Sequence, residues 1–188
     1  MQFAAILAGG SGVRMGNPNK PKQFFYLGDK PILVHTLEKF CAAGCFDGIL
    51  VLTPATWVQQ TKDIIAKHCP QYADAVNVIA GGAERNDTIM NAIRYFEDEC
   101  QADDASVIVT HDAVRPFVSL RIIEDNIAAA LAHGACDTVV PATDTIVESL
   151  DGELISSIPN RSVLYQGQTP QSFNMRELRE TLESLTPE

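Results

Sequence analysis

Residues able to grip a polyanion crowd the start of the chain. Gly9, Gly10, Gly12 and Gly16 fall close together, and Arg14, Lys20 and Lys22 lie in the same stretch. Glycine accepts positive φ and lets bare N–H groups approach a ligand. Successive main-chain donors of that kind form an anion cradle, to which the three cations add full positive charge. Ahead of them, Phe3 to Ala8 is small and apolar with no polar face, as in a strand buried on both sides of a parallel sheet. Strand followed by a basic, glycine-rich loop reads as a holder for a nucleoside triphosphate. Glycines alone would serve equally well in a tight turn. No Gly-Lys-Ser/Thr closes the loop, so it is not a Walker A motif. Arg14, Met15, Pro18 and Pro21 also break the dinucleotide fingerprint and forbid an immediate long helix.

Two further polar segments follow apolar runs. Gly81-Gly82-Ala83-Glu84-Arg85-Asn86-Asp87-Thr88 leads into a helical pattern, and His111-Asp112-Ala113-Val114-Arg115-Pro116 follows Val107–Thr110. Ligands of open α/β sheets bind beyond the carboxyl ends of the strands, and three such segments at three strand ends reinforce one another. Asp112 suits a divalent cation on a triphosphate, because a phosphate loop with no carboxylate would lack a magnesium anchor; a helix N-cap or a partner for Arg115 is the alternative. His111 reads as a part-buried imidazole satisfied by backbone. No Ser/His/Asp triad and no His/Glu metal pair at helical spacing is present.

These segments need a scaffold, and the rest of the chain supplies one. Its 188 residues, 46% hydrophobic and 20% charged, suit a single domain spanning 1–188. Short apolar runs alternate with helical patterns, which implies an α/β fold with a mostly parallel sheet. Strands are expected at 49–53, 76–79, 107–110 and from 138. Helices are expected at 32–43, opened by Pro31 and closed by Gly44, and at 57–69, 88–99 and 120–133. Around Asp151-Gly152, two β-prone runs suggest a hairpin with a type I′ turn. A lone hairpin is poorly stable, so this arm, about 143–162, packs either on a second subunit or back on its own domain. A net charge of −10 argues against non-specific nucleic-acid binding. Five cysteines without a C-x-x-C pair fit a reducing cytoplasm rather than a disulfide framework or a zinc site. Met1 leads almost directly into the first strand, so no signal peptide is expected, and no apolar run is long enough to span a bilayer.

Taken together, the motifs resemble the CTP-dependent cytidylyltransferases that activate sugar or polyol phosphates. Those are Rossmann-like three-layer α/β/α proteins of the nucleotide-diphospho-sugar transferase type. Carrying the resemblance, in order, are Leu7-Ala-Gly-Gly-x-Gly-x-Arg14-Met, Pro21-Lys22-Gln23, Gly81-Gly-x-Glu-Arg85, His111-Asp-x-x-Arg115-Pro, Asp144-Thr145 and Thr169-Pro-Gln171. One branch makes CDP-methylerythritol for isoprenoids, another CDP-ribitol for teichoic acid or capsule. Segments 137–149 and 158–173 are most similar to the ribitol branch. The resemblance implies that Leu7, Ala8, Gly9 and Gly10 touch CTP through their backbone, and that Gly81 to Thr88 read cytosine and ribose. It makes Arg14 and Lys22 catalytic, places Asp112 and Ala113 at the nucleotide with Mg²⁺ on Asp112, and sets Arg115, Thr145, Arg161 and Thr169 around the polyol phosphate. It also implies a homodimer clasped through the arm, with Arg161 serving the neighbouring site. The family runs on past residue 188 to a strand, a helix and a lysine that orients the acceptor phosphate. Either this chain is part of a longer one or that lysine has no counterpart, in which case a non-catalytic nucleotide-binding module is the alternative.

Overall fold

The computed structural model describes residues 1–10 and 20–185. Its centre is β1 (Gln2–Leu7), paired in parallel with β4 (Gly48–Thr53) on one side and β6 (Val107–Asp112) on the other. Next to β4 lies β5 (Val76–Ala80), also parallel. Beyond β6 come β8 (Tyr165–Asn174), antiparallel to β6, and β7 (Ala135–Pro141), antiparallel to β8. The sheet order is therefore β5-β4-β1-β6-β8-β7, with a separate small hairpin of β2 (Tyr26–Leu27) and β3 (Lys30–Pro31). The parallel part agrees with the sequence reading; antiparallel β8, the helix after it and the small hairpin were not foreseen.

Alternation along β1 builds the three layers. Ala4 and Ile6 point to the face covered by α1 (Ile32–Ala43), α2 (Val58–His68) and α4 (Leu120–His133). Phe3 and Ala5 point to the face covered by α3 (Arg85–Cys100) and α5 (Met175–Ser184). All four are fully buried, which explains a strand with no polar face. On the second face Phe3 stacks on Phe96 with ring centroids 4.5 Å apart, adding to the area term of two buried aromatics.

The helix ends follow from side-chain chemistry. α1 stops where Gly44 turns left-handed at φ 64°, a conformation that costs glycine little. α3 begins at Arg85, three residues earlier than the sequence suggested, because Glu84 and Asp87 form a reciprocal capping box. Asn174 caps α5 by accepting the Glu177 N–H at 3.0 Å.

Residues 142–164, between β7 and β8, carry a single isolated bridge, Glu148 to Ser157. The type I′ turn expected at Asp151-Gly152 does not form. Gly152 has φ 78°, but Asp151 is not left-handed, as that turn would require. Instead Asp151 Oδ1 accepts the N–H groups of Glu153 and Leu154, each at 2.9 Å, so its side chain shapes the bend. Val147, Leu150, Leu154, Ile155 and Ile158 are exposed along this segment.

Candidate functional site

β1, β4, β5 and β6 are parallel, so Leu7, Thr53, Ala80 and Asp112 end on one edge of the sheet. A cavity of about 380 Å³ opens there, between the segments that follow β1, β5 and β6. Leu7 to Gly10 line one side, Gly82 to Arg85 with Thr88 another, and Lys22, Gln23, Asp112 and Val114 complete it. The two glycine segments meet the same space for different reasons. Among the described residues, no atom lies within 4 Å of where a Cβ would stand at Gly9 or Gly10, and neither residue has positive φ. Their lack of a side chain keeps the cavity wall bare rather than enabling a turn. A Cβ on Gly82 would instead stand 2.1 Å from the Asp87 Cβ and 2.8 Å from the Asp87 carbonyl carbon. That glycine permits the tight entry into α3, where Thr88 Oγ1 accepts the Gly82 N–H at 3.0 Å and donates to the Glu84 carbonyl at 2.9 Å.

Lys22 is held in place through its neighbour. Gln23 is buried, and its Nε2 donates to the Ala8 carbonyl at 2.5 Å. This bond ties the short turn of Lys22–Phe24 to the end of β1. No carboxylate lies within 4 Å of Lys22 among the described residues, so its charge is available to the cavity.

Asp112 is the electrostatic hub. Its Oδ1 accepts from Arg85 Nη1 at 2.8 Å and its Oδ2 from Arg115 Nε at 3.0 Å. Two glutamines on β8 splay the guanidinium groups: Arg85 Nη2 donates to Gln171 Oε1 at 3.2 Å, and Arg115 Nη1 donates to Gln168 Oε1. The backbone N–H of Asp112 donates to Thr169 Oγ1 at 3.2 Å. Burial pushes the Asp112 carboxyl up, but the hydrogen bonds and charges of Arg85 and Arg115 outweigh it and hold the group below the usual carboxylate range. β8 is itself anchored under α4, where Asn126 Nδ2 donates to Thr138 Oγ1 at 2.9 Å and Thr138 Oγ1 donates to the Pro170 carbonyl at 2.7 Å.

Two carboxylates line the cavity, and Glu84 is committed to its helix cap. No cluster of three His, Cys, Asp or Glu side chains suited to a metal exists among the described residues. Magnesium usually binds through one or two carboxylates plus waters and substrate phosphates. Each Asp112 oxygen accepts one hydrogen bond from an arginine and keeps a second lone pair, so Asp112 fits such a cation held largely by substrate oxygens.

Of the residues singled out from sequence, Leu7, Ala8, Gly9, Gly10, Gly82, Ala83, Glu84, Arg85, Thr88, Lys22 and Asp112 share the cavity. Gly81 adjoins it, with its N–H bound to the Thr53 carbonyl at 2.8 Å. Arg115 and Thr169 meet at Asp112. Ala113 is buried away from the cavity, its carbonyl accepting from Thr36 Oγ1 at 2.8 Å, and Val114 lines the wall in its stead. Asn86 and Asp87 also lie off the wall, and Asp87 Oδ2 accepts the Glu84 N–H at 3.0 Å. Thr145 is exposed in the 142–164 segment, as is Arg161, whose Nη1 donates to the Thr143 carbonyl at 2.8 Å. Arg14 lies outside the described residues. Sequence reasoning missed the supporting roles of Gln23, Gln168 and Gln171. Gln23 and Gln171 stand within quoted motifs and Gln168 directly precedes one, but an amide side chain carries no signal of its partner.

Comparison with known proteins places this geometry. The model of the family described as IspD, 2-C-methyl-D-erythritol 4-phosphate cytidylyltransferase, matches residues 3–187. A ribitol-5-phosphate cytidylyltransferase of Lactiplantibacillus plantarum is 53% identical over the full chain, which spans 79% of that relative. The structure of 4-diphosphocytidyl-2C-methyl-D-erythritol synthase from Anaerococcus prevotii aligns with a TM-score of 0.79 at 25% identity, covering 98% of this chain and 74% of that one. The 2-C-methyl-D-erythritol 4-phosphate cytidylyltransferase of Francisella tularensis aligns with a TM-score of 0.77 at 27% identity, covering 97% and 76%. With its whole described length matched and its cavity built from the motif segments, the chain belongs to the IspD family of CTP-dependent cytidylyltransferases.

Proposed function

We propose that this protein transfers the cytidylyl group of CTP to D-ribitol 5-phosphate, forming CDP-ribitol and pyrophosphate for a teichoic-acid or capsule polymer. The carrying observation is the 53% identity to a ribitol-5-phosphate cytidylyltransferase, against 25% and 27% to solved methylerythritol-phosphate enzymes. In this reading an acceptor phosphate oxygen attacks the α-phosphorus of CTP. A new P–O bond forms, the bond to the bridging oxygen breaks, and pyrophosphate leaves with the electron pair. No protein nucleophile is required. Both reactants are anionic, so the work is positioning and charge stabilisation.

The main chain of Gly9 and Gly10 would meet the triphosphate, with Leu7 and Ala8, whose backbone groups bond to Ala113, Leu52 and Gln23, forming the wall beside it, and the Gly81–Thr88 segment would read cytosine and ribose. Lys22, with Arg14, would stabilise charge on the α-phosphate. Arg115 and Thr169, beside Asp112, would take the acceptor phosphate. Thr145 and Arg161 would join them from the arm, Arg161 in the site of a second subunit. Bound at Asp112, Mg²⁺ would neutralise charge on the phosphates. Exposed Leu150, Leu154 and Ile155 support a homodimer clasped through residues 143–162. Five free thiols support a cytoplasmic location, and no described helix is long and apolar enough to cross a membrane.

The test is product formation by the purified protein with CTP, Mg²⁺ and ribitol 5-phosphate, run beside 2-C-methyl-D-erythritol 4-phosphate. CDP-ribitol with little methylerythritol product supports the reading. The reverse preference assigns the isoprenoid branch, and CTP binding without pyrophosphate release assigns a non-catalytic module.

A further inference from the structure

His111 has no part in the chemistry above, yet it precedes Asp112 and is fully buried. Its Nε2 lies 3.0 Å from the Arg115 carbonyl oxygen. A carbonyl only accepts, so Nε2 carries the proton and donates. This fixes the tautomer and leaves Nδ1 as a bare lone pair, buried without a partner among the described residues. An unpaired buried acceptor is a standing cost. An apolar side chain of similar volume would avoid it, so the bond to Arg115 is what the imidazole contributes.

The surroundings make that bond a strut. The ring lies against Phe40, with centroids 5.0 Å apart, and burial pushes the imidazole below its usual range, which keeps it neutral. The backbone it reaches is a tight turn: the Arg115 N–H donates to the Asp112 carbonyl at 3.1 Å. The Ala113 carbonyl inside the turn is held by Thr36. From this turn the Arg115 guanidinium reaches Asp112 Oδ2 and Gln168.

We propose that His111 is a positioning residue, whose Nε2–H holds the Arg115 carbonyl and so sets the angle at which Arg115 meets the acceptor phosphate. This deepens the proposed function, since it takes the acceptor role of Arg115 from there.

Two variants test it. His111→Leu fills the volume but cannot donate, whereas His111→Gln puts an amide donor near the original Nε2. Both are compared with the parent by amide hydrogen exchange over residues 112–116 and by KM for ribitol 5-phosphate and for CTP. A lost neutral hydrogen bond corresponds to about a two- to twelvefold change. In His111→Leu, exchange at the Arg115 amide and KM for ribitol 5-phosphate are both expected to rise by that factor. KM for CTP should stay within about twofold, and His111→Gln should recover most of both changes. Parent-like exchange in His111→Leu, an equal rise in both KM values, or a folded His111→Gln as impaired as His111→Leu would each overturn the proposal. Should the parent make no CDP-ribitol at all, the proposed function falls, and the exchange comparison alone decides the role of His111.

Discussion

Two glycines that look alike in sequence are expected to fail in opposite ways. In Gly9→Ala the new methyl meets no atom of the described residues within 4 Å, and the residue is not left-handed. The folded state therefore loses nothing, while the unfolded chain loses entropy worth about 0.4–1 kcal/mol. For a chain of this size that raises Tm by about 1–4 °C. The same methyl points into the cavity where the triphosphate is proposed to lie against the main chain. Crowding there should cost about 1–3 kcal/mol of binding, a roughly 5- to 150-fold weaker Kd for CTP. Gly82→Ala reverses the pattern. Its Cβ would fall 2.1 Å from the Asp87 Cβ and 2.9 Å from the Thr88 nitrogen, so the backbone entering α3 must shift. That overpacking should cost about 1–3 kcal/mol of stability and lower Tm by roughly 2–12 °C. Differential scanning fluorimetry without nucleotide reads the stabilities, and titration calorimetry with CTP and Mg²⁺ reads the Kd of Gly9→Ala. Parent-like CTP affinity in Gly9→Ala, or a large loss of its Tm, would refute the reasoning.

Other substitutions probe other parts. Lys22→Ala should lower turnover by roughly 100- to 1,000-fold, the usual effect of removing one preorganised charge, with Tm unchanged. Turnover within a few fold of the parent would remove Lys22 from the chemistry. Gln23→Leu leaves the buried Ala8 carbonyl without its side-chain donor, so urea denaturation should show a loss of about 1–3 kcal/mol and a lower kcat as Lys22 loosens. Replacing both Leu150 and Leu154 by Asp should yield a monomer in sedimentation velocity with parent-like circular dichroism; an unchanged dimer would place the interface elsewhere.

What could be read ahead of the structure depended on whether the signal was local. α1 was legible to the residue, because Pro31 and left-handed Gly44 directly flank its apolar stripe. The start of α3 was misread by three residues, since its capping box uses Glu84 and Asp87 rather than the commoner Ser or Thr. β8 was invisible. Gln166, Gly167, Gln168, Pro170 and Gln171 give it no β-prone pattern, and its ladders to β6 and β7 are tertiary. The cavity segments were visible as motifs, but Arg85, at the start of α3, reaches Asp112 at the end of β6 although β4 and β1 stand between β5 and β6, a long-range contact that no local pattern announces. The wall position of Val114, with Ala113 turned to Thr36, had no local signal either.

The central claim is that the backbone after β1 and the nearby cations grip the triphosphate of CTP. A crystal structure with Mg²⁺ and a non-hydrolysable CTP analogue tests it most directly. The expected result puts phosphate oxygens on the N–H groups of Gly9 and Gly10, Lys22 Nζ at the α-phosphate, and cytosine against the Gly81–Thr88 segment. Phosphates bound elsewhere, with Lys22 turned to solvent, would contradict it.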